Sequence, residues 1–486
     1  MRRHKSVPLL GLLLLAACSS APTAAPDPSQ AAIAAVTSGL RAPVVVTGEP
    51  EQAFALVDRM AHYKVPGVSI AVVDSGRIVW ARGFGLKSAG TTDSVTDSTL
   101  FQAASISKPV AATGLLRLVE EGKLTLDAPV NSYLTSWRVP ENRFTSREKV
   151  TLRRLVSHSA GLTVHGFPGY AAGDTLPTVP QILDGVRPAN TGAVRVDVVP
   201  GSRWRYSGGG TTVFQLAMTD VTGEPFPALM KRLVLDPIGM THSTYEQPLP
   251  AALAGREAAG HSNDGTAVPG RWHTYPEMAA AGLWTTPSDL MHWALGVAGA
   301  RAGTSTGVLS KDMATQMLTV QKAPSGLGPA LEGSGRAFRF GHGGANRGFR
   351  AHVYYFPETG QGAAVMTNSD NGSALVREVM NAIAKVYQWP EFGPREVARF
   401  VKDSVSLAGY PGRYAIERPQ AITATVTIEG STLYIEVPGF VSKSELIFIE
   451  ANKAIFTDGL EITFVPDAKG AITGIELGGM TIRRVP

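Results

Sequence analysis

The sequence is poor in cysteine, and this shortage excludes one way of stabilising a fold. Among its 486 residues there is a single cysteine, Cys18, so no disulfide can form within the chain. Charged residues make up 17% and hydrophobic residues 44%, which is typical of a globular protein and excludes an intrinsically disordered one. Since this length exceeds what one core usually supports, we expect a large domain and a smaller one.

Long apolar runs and a large excess of charge are also missing. After the first residues, no run approaches the ~18 apolar residues that a transmembrane helix needs. The formal net charge is +5, and Arg2, Arg3 and Lys5 precede Cys18 with no acidic residue among them, so subtracting these three leaves +2 for the remainder. This charge is too small to indicate a nucleic acid as a partner.

The first residues have the pattern of an export signal. The three basic residues precede an apolar run over 7–17 that is too short to span a bilayer, so residues 1–17 are predicted to be a signal peptide. The sequence Leu-Ala-Ala-Cys at 15–18 resembles the lipobox of bacterial lipoproteins, which implies that Cys18 is lipidated. We therefore expect an exported, membrane-anchored lipoprotein on the periplasmic or cell-surface side. Residues 18–50 are rich in Ala, Pro, Ser and Thr and are predicted to form a flexible tether, with a short helix within it as the alternative.

Two hairpin patterns separated by a largely helical stretch predict an α/β fold over residues 51–395. Strands are predicted at 68–73 and 77–84 around one turn, and at 349–356 and 363–366 around another. Helical spacing precedes the first hairpin and follows the second, where Ser373 is a candidate N-cap. The expected architecture is an antiparallel sheet flanked by helices, with a helical region between its hairpins.

The C-terminal residues have a different pattern. From 406 to 486, short β-rich runs alternate with turns containing Gly, Asp, Asn or Ser. This spacing predicts a small all-β domain, either a barrel or a sandwich.

The first candidate for chemistry is Ser105-x-x-Lys108, directly before an apolar helical pattern. At the start of a helix, residues i and i+3 lie on one face, so the amine can reach the hydroxyl. A serine needs a base to become a nucleophile, and a lysine surrounded by small apolar residues can supply one. Pro109 is compatible with the first turn of that helix.

Two other serines match catalytic patterns less well. Ser146 and Lys149 have the same spacing, but charged residues flank them, which favours a solvated helix start. Ser305 lies in a Gly-x-Ser-x-Gly pattern, which requires a core strand before it. The preceding residues have helical spacing, so a surface turn is the better interpretation.

Two glycine-rich segments supply further candidates. Tyr206 precedes Ser207 and three glycines, which predicts a loop where the backbone can approach a ligand closely. A phenol beside a lysine can shuttle a proton. His342 lies in Gly-His-Gly-Gly-Ala-Asn just before a predicted strand, and a free N–H there could form half of an oxyanion hole. Considered singly, Tyr206 fits an ordinary core or surface tyrosine better than a catalytic one, whereas His342 could equally be a turn histidine without function.

Together and in this order, the three motifs resemble the serine β-lactamase and penicillin-binding-protein superfamily, specifically its class C-like branch. The resemblance covers about residues 50–390 and includes the sequences LVSHSAGL at 155–162, PGSRWRYSGGG, GHGGANRGF and MTNSDNG. The branch often carries a lipocalin-like C-terminal domain, which residues 406–486 resemble. No metal or cofactor is implied, and the expected partner is a small-molecule or peptide substrate.

The resemblance also implies a role for each site residue. Ser105 would be the acylated nucleophile, Lys108 its base and Tyr206 the proton shuttle. His342 and Gly344 would form the cleft wall that faces the substrate. The backbone N–H groups of Ser105 and Ala345 would form the oxyanion hole.

Two departures from the family pattern bear on the substrate. Many β-lactamases have Lys-Thr-Gly where this chain has His342, Gly343 and Gly344, and a histidine is mostly neutral at pH 7. The usual Tyr-x-Asn is Tyr206-Ser207-Gly208 here, which lacks the amide that grips an acylamino group. An esterase or peptidase is therefore expected first, with a D-Ala-D-Ala-type carboxypeptidase or aminopeptidase, or a weak β-lactamase, as alternatives. A non-catalytic lipoprotein that binds cell-wall fragments or a partner is the alternative of another class; the substrate and oligomeric state stay open.

Overall fold

The structure is a computed structural model that describes residues 28–304, 307–416, 422–437, 441–456, 459–477 and 480–486. The predicted signal peptide, Cys18 and Ser305 lie outside these ranges. The helices are α1 (Pro28–Ser38), α2 (Leu56–Tyr63), α3 (Ser107–Glu120), α4 (Leu152–Val156), α5 (Val179–Asp184), α6 (Gly208–Thr222), α7 (Phe226–Met230), α8 (Met278–Ala281), α9 (Pro287–Ala302), α10 (Lys311–Met317), α11 (Gly372–Val386) and α12 (Ser404–Leu407). Within the described ranges, no helix has the length and apolar character needed to cross a membrane.

The strands belong to a mixed α/β region and to a C-terminal barrel. Those of the first region are β1 (Val44–Val46), β2 (Gly67–Asp74), β3 (Arg77–Gly85), β4 (Phe101–Gln102), β5 (Trp284–Thr285), β6 (Ala330–Glu332), β7 (Arg339–Asn346), β8 (Phe349–Phe356), β9 (Gln361–Thr367) and β10 (Arg395–Val397). Those of the barrel are β11 (Gly412–Ile416), β12 (Ile422–Glu429), β13 (Thr432–Val437), β14 (Val441–Phe448), β15 (Lys453–Phe456), β16 (Glu461–Pro466), β17 (Ile472–Leu477) and β18 (Met480–Val485).

A six-stranded antiparallel sheet in the order β3-β2-β9-β8-β7-β6 forms the centre of the first region. Its middle strands are apolar on both faces because helices cover both. On β2, Val68, Ile70 and Val72 pack in the core beneath α1, α2 and α11, whereas Ala71 and Val73 belong to the core shared with the helical region. Side chains alternate between faces along a strand, which explains how one strand serves two cores.

Both predicted hairpins are confirmed, and each strand is at most three residues longer than predicted. The helix after the second hairpin is also present, but Asn371 is its N-cap and Ser373 lies inside it, so that predicted cap is wrong. Residues 28–46 also differ from the flexible tether that their composition predicts. Ile33 and Val36 of α1 are buried under the sheet, and β1 pairs in parallel with β10.

The C-terminal strands β11 to β18 form a closed antiparallel barrel, with β18 returning to pair with β11. Aromatic side chains such as Tyr414, Phe448 and Phe464 fill its interior. Val44 and Val397 pack on Ile447 and Ile455 of the barrel and so join it to the first region. The predicted fold class, an α/β region with an antiparallel sheet followed by a small all-β domain, is confirmed.

Candidate active site

Ser105 and Lys108 lie at the start of α3 and are in direct contact. Ser105 is in a short 3-10 turn, Ala104–Ile106, that leads into the helix. The Lys108 amine donates hydrogen bonds to Ser105 Oγ at 2.9 Å and to the Ala280 carbonyl at 2.8 Å. It also lies 5.0 Å from the centre of the Tyr206 ring. Lys108 is only 4% exposed, so its amine is largely shielded from solvent.

The turn that carries Ser105 is fixed by its neighbours. Ala104 has a φ of 50°, a left-handed conformation that costs an L-residue energy and persists only where surrounding contacts enforce it. The Ser107 hydroxyl donates to the Ala104 carbonyl at 2.5 Å and accepts the Leu283 N–H at 3.0 Å. Ser107 is therefore occupied in holding the turn, whereas Ser105 faces the lysine.

Tyr206 lies two residues before α6, next to the N-cap Ser207. The predicted glycine loop is wrong here, because the three glycines after Ser207 form the first turn of that helix and are buried. The Ser207 hydroxyl caps the helix by accepting the Gly210 N–H at 2.9 Å and donates to the Thr163 carbonyl at 2.7 Å. Glycine is needed because a Cβ on Gly209 would lie 2.9 Å from that same carbonyl oxygen. The glycines therefore let the helix start pack against the neighbouring segment.

Aromatic rings surround the Tyr206 side chain. The centres of the His158 and His165 rings lie 4.3 and 4.8 Å from the centre of the Tyr206 ring. His342 lies 5.9 Å away on the side of the sheet, and Trp204 lies 6.3 Å away. The phenol is thus held among four rings beside the lysine.

The Gly-His-Gly-Gly segment lies within strand β7 and not in a turn before a strand, which corrects the prediction. Strand β6 pairs only with the first residues of β7, so the edge from His342 onwards has no partner there. Gly344 packs directly on the turn that carries Ser105, because a Cβ on it would lie 2.2 Å from the Ala103 carbonyl oxygen. The exposed Ala345 follows it on this edge.

One cleft of about 500 Å³ brings all the predicted site residues together. Its described lining consists of Ser105, Lys108, His165, Gly166, Phe167, Trp204, Tyr206, Ala280, Ala281, His342, Gly343, Gly344, Ala345, Asn346, Ala351, His352 and Ser373. Apart from the histidines, Lys108 is the one residue of this described lining with a basic side chain. The cleft can therefore hold a mainly neutral substrate next to one buried lysine.

The histidines around the cleft are kept neutral. Burial and the nearby Lys108 charge lower the pKa of His342 to about 4. Burial and the adjacent His342 lower the pKa of His352 to about 3. Burial and the Lys108 charge also lower the pKa of His165, and hold that of His158 well below its usual value.

The second Ser-x-x-Lys pair forms no such arrangement. Ser146 lies in an exposed turn and donates its hydroxyl to the Arg143 carbonyl at 3.1 Å. The Lys149 amine pairs with Glu141 at 2.9 Å. Helix α4 begins only after this turn, so the predicted helix start is wrong. The interpretation of the pair as a solvated surface feature is right.

Several parts of the site carry no signal in the sequence. The Ala280 carbonyl that accepts from Lys108 is a backbone group, which no motif reveals. Asn346, at the end of the glycine segment, donates from its amide to Gln102 at 2.8 Å and to the Ala281 carbonyl at 3.0 Å, and so ties β7 to α8. His158 could have been noticed from its place in LVSHSAGL. In the described residues, no three His, Cys, Asp or Glu side chains are grouped so as to hold a metal ion.

A serine and lysine at a helix start, a tyrosine before a second helix and a glycine-rich strand edge meet in one cleft of an α/β fold, which is the arrangement that the family resemblance implies. Residues 55–387 of the chain match the beta-lactamase family, and the chain belongs to that family.

The chain is similar to several curated members of related function. It is 29% identical over 239 residues to Esterase EstB of Burkholderia gladioli, which covers 46% of this chain and 58% of that protein. It is 29% identical over 187 residues to the putative penicillin-binding protein PbpX of Bacillus subtilis, with coverages of 37% and 43%. The matches thus span about half the length of these relatives. A beta-lactamase of Pseudomonas fluorescens is 24% identical over 359 residues, covering 67% of this chain and 94% of its own.

Solved structures share the fold over most of the chain. The octameric penicillin-binding protein homologue of Pyrococcus abyssi superposes with a TM-score of 0.57 at 22% identity, covering 89% of this chain and 98% of its own. The D-amino acid amidase of Ochrobactrum anthropi gives a TM-score of 0.55 at 23% identity, with coverages of 68% and 94%. At this identity the likeness establishes the fold alone.

Proposed function

We propose that the protein is a serine hydrolase that cleaves an ester or amide bond through an acyl-enzyme on Ser105. The observation that carries this proposal is the 2.9 Å contact between Lys108 Nζ and Ser105 Oγ, in a cleft also lined by Tyr206 and the open edge of β7. A non-catalytic binder would not need a buried lysine held against a serine hydroxyl, since burying a charge is costly.

In the proposed reaction, Ser105 Oγ attacks the carbonyl carbon, and its proton passes to Tyr206 or to the Lys108 amine once that amine has given up its own proton. The carbonyl oxygen gains the charge and lies against the backbone N–H groups of Ser105 and Ala345. Tyr206 returns a proton to the leaving alcohol or amine as that bond breaks. Water then attacks the acyl carbon and gives its proton to the same basic groups. The bond between the acyl carbon and Ser105 Oγ breaks, Oγ takes a proton back from those groups, and the acid is released.

Esters are the substrates that the cleft favours. A free carboxylate, such as that of a β-lactam or a D-Ala-D-Ala peptide, would be expected to need a fixed cation, and His342 is neutral because burial and Lys108 lower its pKa to about 4. Ser207 cannot replace the usual asparagine, since its hydroxyl already bonds Gly210 and Thr163. A D-amino-acid peptidase or weak β-lactamase activity is the second candidate.

Labelling with a fluorophosphonate and a fluorescent penicillin tests the assignment of the nucleophile. We expect the fluorophosphonate to label the wild type and Ser146→Ala but not Ser105→Ala, because only Ser105 contacts a buried lysine. Ser146→Ala is the matched control for the spacing alone. A folded wild type that neither probe labels, or equal labelling of Ser105→Ala, would contradict the proposal.

A hydrolysis panel then separates the substrate classes. p-Nitrophenyl esters should be hydrolysed faster than nitrocefin and D-amino-acid peptides. A preference for nitrocefin would contradict the ester assignment but leave the serine hydrolase standing.

We also propose that the protein is an exported lipoprotein, anchored to a membrane through Cys18 with its cleft outside the cytoplasm. Arg2, Arg3 and Lys5 before the apolar run, and Leu-Ala-Ala-Cys at its end, support this proposal. Labelled palmitate should be incorporated by the full chain expressed in a bacterium and not by Cys18→Ala. Incorporation into both would contradict it.

A further inference from the structure

His158 takes no part in the steps above, although it lies directly behind Tyr206. His158 is 5% exposed, and the centre of its ring is 4.3 Å from the centre of the Tyr206 ring with the planes 33° apart. Its backbone has a φ of 54°, a conformation uncommon for a residue other than glycine. A buried histidine in this conformation is held there by specific contacts.

The contacts of His158 clamp the residues on both sides of Tyr206. Its carbonyl oxygen accepts the Arg205 N–H at 2.6 Å, and its Nδ1 accepts the Ser207 N–H at 3.3 Å. With the ring lying against the phenol itself, one histidine contacts three consecutive residues. Since Nδ1 accepts a hydrogen bond, it carries no proton, and the neutral ring has its proton on Nε2.

We propose that His158 is a positioning residue that holds the Tyr206 phenol beside Lys108 and Ser105 and that does so only as a neutral imidazole. The proposal rests on the proposed function, because it acts through the phenol that moves the proton.

The charges around His158 favour this neutral form. Burial, the Lys108 ammonium and the rings of His342 and His165 hold the pKa of His158 well below its usual value. Protonation would place a second N–H opposite the Ser207 N–H and break the bond between them. The clamp therefore stays intact through the neutral pH range.

Two substitutions of His158 distinguish the contribution of the ring contact from that of the hydrogen bond that Nδ1 accepts, and so test the proposal. We expect His158→Phe to lower kcat for a p-nitrophenyl ester about tenfold at a KM within about twofold, because a buried N–H is left without an acceptor. His158→Asn can still accept through Oδ1 and should stay within about threefold of the wild type, since a ring contact is worth less than a buried hydrogen bond. Rates are referred to sites titrated with the fluorophosphonate.

Repeating His158→Phe in a Tyr206→Phe background distinguishes positioning from folding. With the phenolic hydroxyl gone, the substitution should change kcat by less than about twofold. His158→Met, which also lacks the acceptor, replaces His158→Phe if that variant does not fold.

His261 provides a matched control. It is also buried, its Nε2 accepts the Ala89 N–H at 3.0 Å, and it does not line the cleft. His261→Phe should lower Tm but leave kcat per titrated site unchanged in both backgrounds.

Three results would overturn the proposal. One is the same loss of kcat from His158→Phe in both backgrounds, and another is wild-type kcat in His158→Phe. The third is a wild-type kcat in Tyr206→Phe alone, which would show that the phenol has no role in catalysis and that positioning it has no effect. The assignment of Ser105 fails separately, through equal labelling of Ser105→Ala.

Discussion

Two Ser-x-x-Lys pairs in one chain have the same spacing and opposite surroundings. At Ser105 the lysine is 4% exposed and bonds the serine at 2.9 Å. At Ser146 the Lys149 side chain is 38% exposed and pairs with Glu141, and the serine hydroxyl bonds a neighbouring carbonyl. The first pair has a helical turn that brings i and i+3 together, whereas the second lies in an irregular turn.

The difference shows that the spacing alone does not make a reactive pair. The first pair also has a strained turn before the serine, a carbonyl from α8 on the lysine and a ring of neutral histidines around the tyrosine. Each of these excludes water or fixes an atom, and none has a counterpart at the second pair. Desolvation and fixed geometry are what turn a common sequence pattern into a candidate for catalysis.

The largest expected difference in kcat is between a variant that lacks the Lys108 amine and one that lacks the Lys149 amine. Lys108→Met keeps the buried volume but removes the amine, so we expect kcat for a p-nitrophenyl ester to fall about thousandfold. Lys149→Ala removes only an exposed ion pair and should leave kcat within about twofold. Circular dichroism and Tm check that both variants are folded. Equal kcat values for the two variants would abolish the distinction between the pairs.

A smaller effect should come from the packing of β7 on the first pair. Gly344→Ala places a Cβ 2.2 Å from the Ala103 carbonyl oxygen, so the turn carrying Ser105 must move away from the strand. A displacement of about 1 Å in a catalytic group costs roughly hundredfold, and we expect fluorophosphonate labelling to slow by about that factor.

Gly192→Ala is the control for this substitution, because nothing lies within 4 Å of the added Cβ. Its labelling rate should equal that of the wild type. A normal labelling rate in Gly344→Ala would show that close packing of β7 does not hold Ser105 in place.

Much of the fold could be predicted from side-chain periodicity. The parts that could not be predicted are rich in glycine, which has no side chain and therefore gives no periodic pattern. The two hairpins alternate strongly, and both were found. Strand β7 was missed because its Gly-His-Gly-Gly segment has almost no alternation, and the start of α6 because glycines disfavour helices in general. At both places the absent Cβ is needed for close backbone packing.

The N-terminal helix shows how composition can mislead. Its many small residues indicated a tether, yet alanine is the best helix former, and Ile33 and Val36 fall three residues apart on the buried side. In the site, the order of Ser105, Tyr206 and His342 along the chain supported the family resemblance, and that resemblance implied a shared cleft. The Ala280 carbonyl and the clamp on Tyr206 depend on tertiary contacts, which a single sequence does not contain.

The smallest expected effect is on the pH dependence of stability, and it follows from the burial of His342 in the cleft around the first pair. The pKa of His342 is lowered to about 4 in the folded protein, whereas an unfolded histidine titrates near its usual 6.5. Between these values the unfolded chain binds more protons, so stability falls as the pH falls from about 6.5 towards 4. His342→Gln removes this contribution and should reduce the loss of Tm between pH 7 and pH 5 by about 2–4 °C. Ser105→Ala keeps the histidine and should follow the wild-type pH dependence, so an unchanged slope in His342→Gln would show that this ring is not desolvated by the cleft.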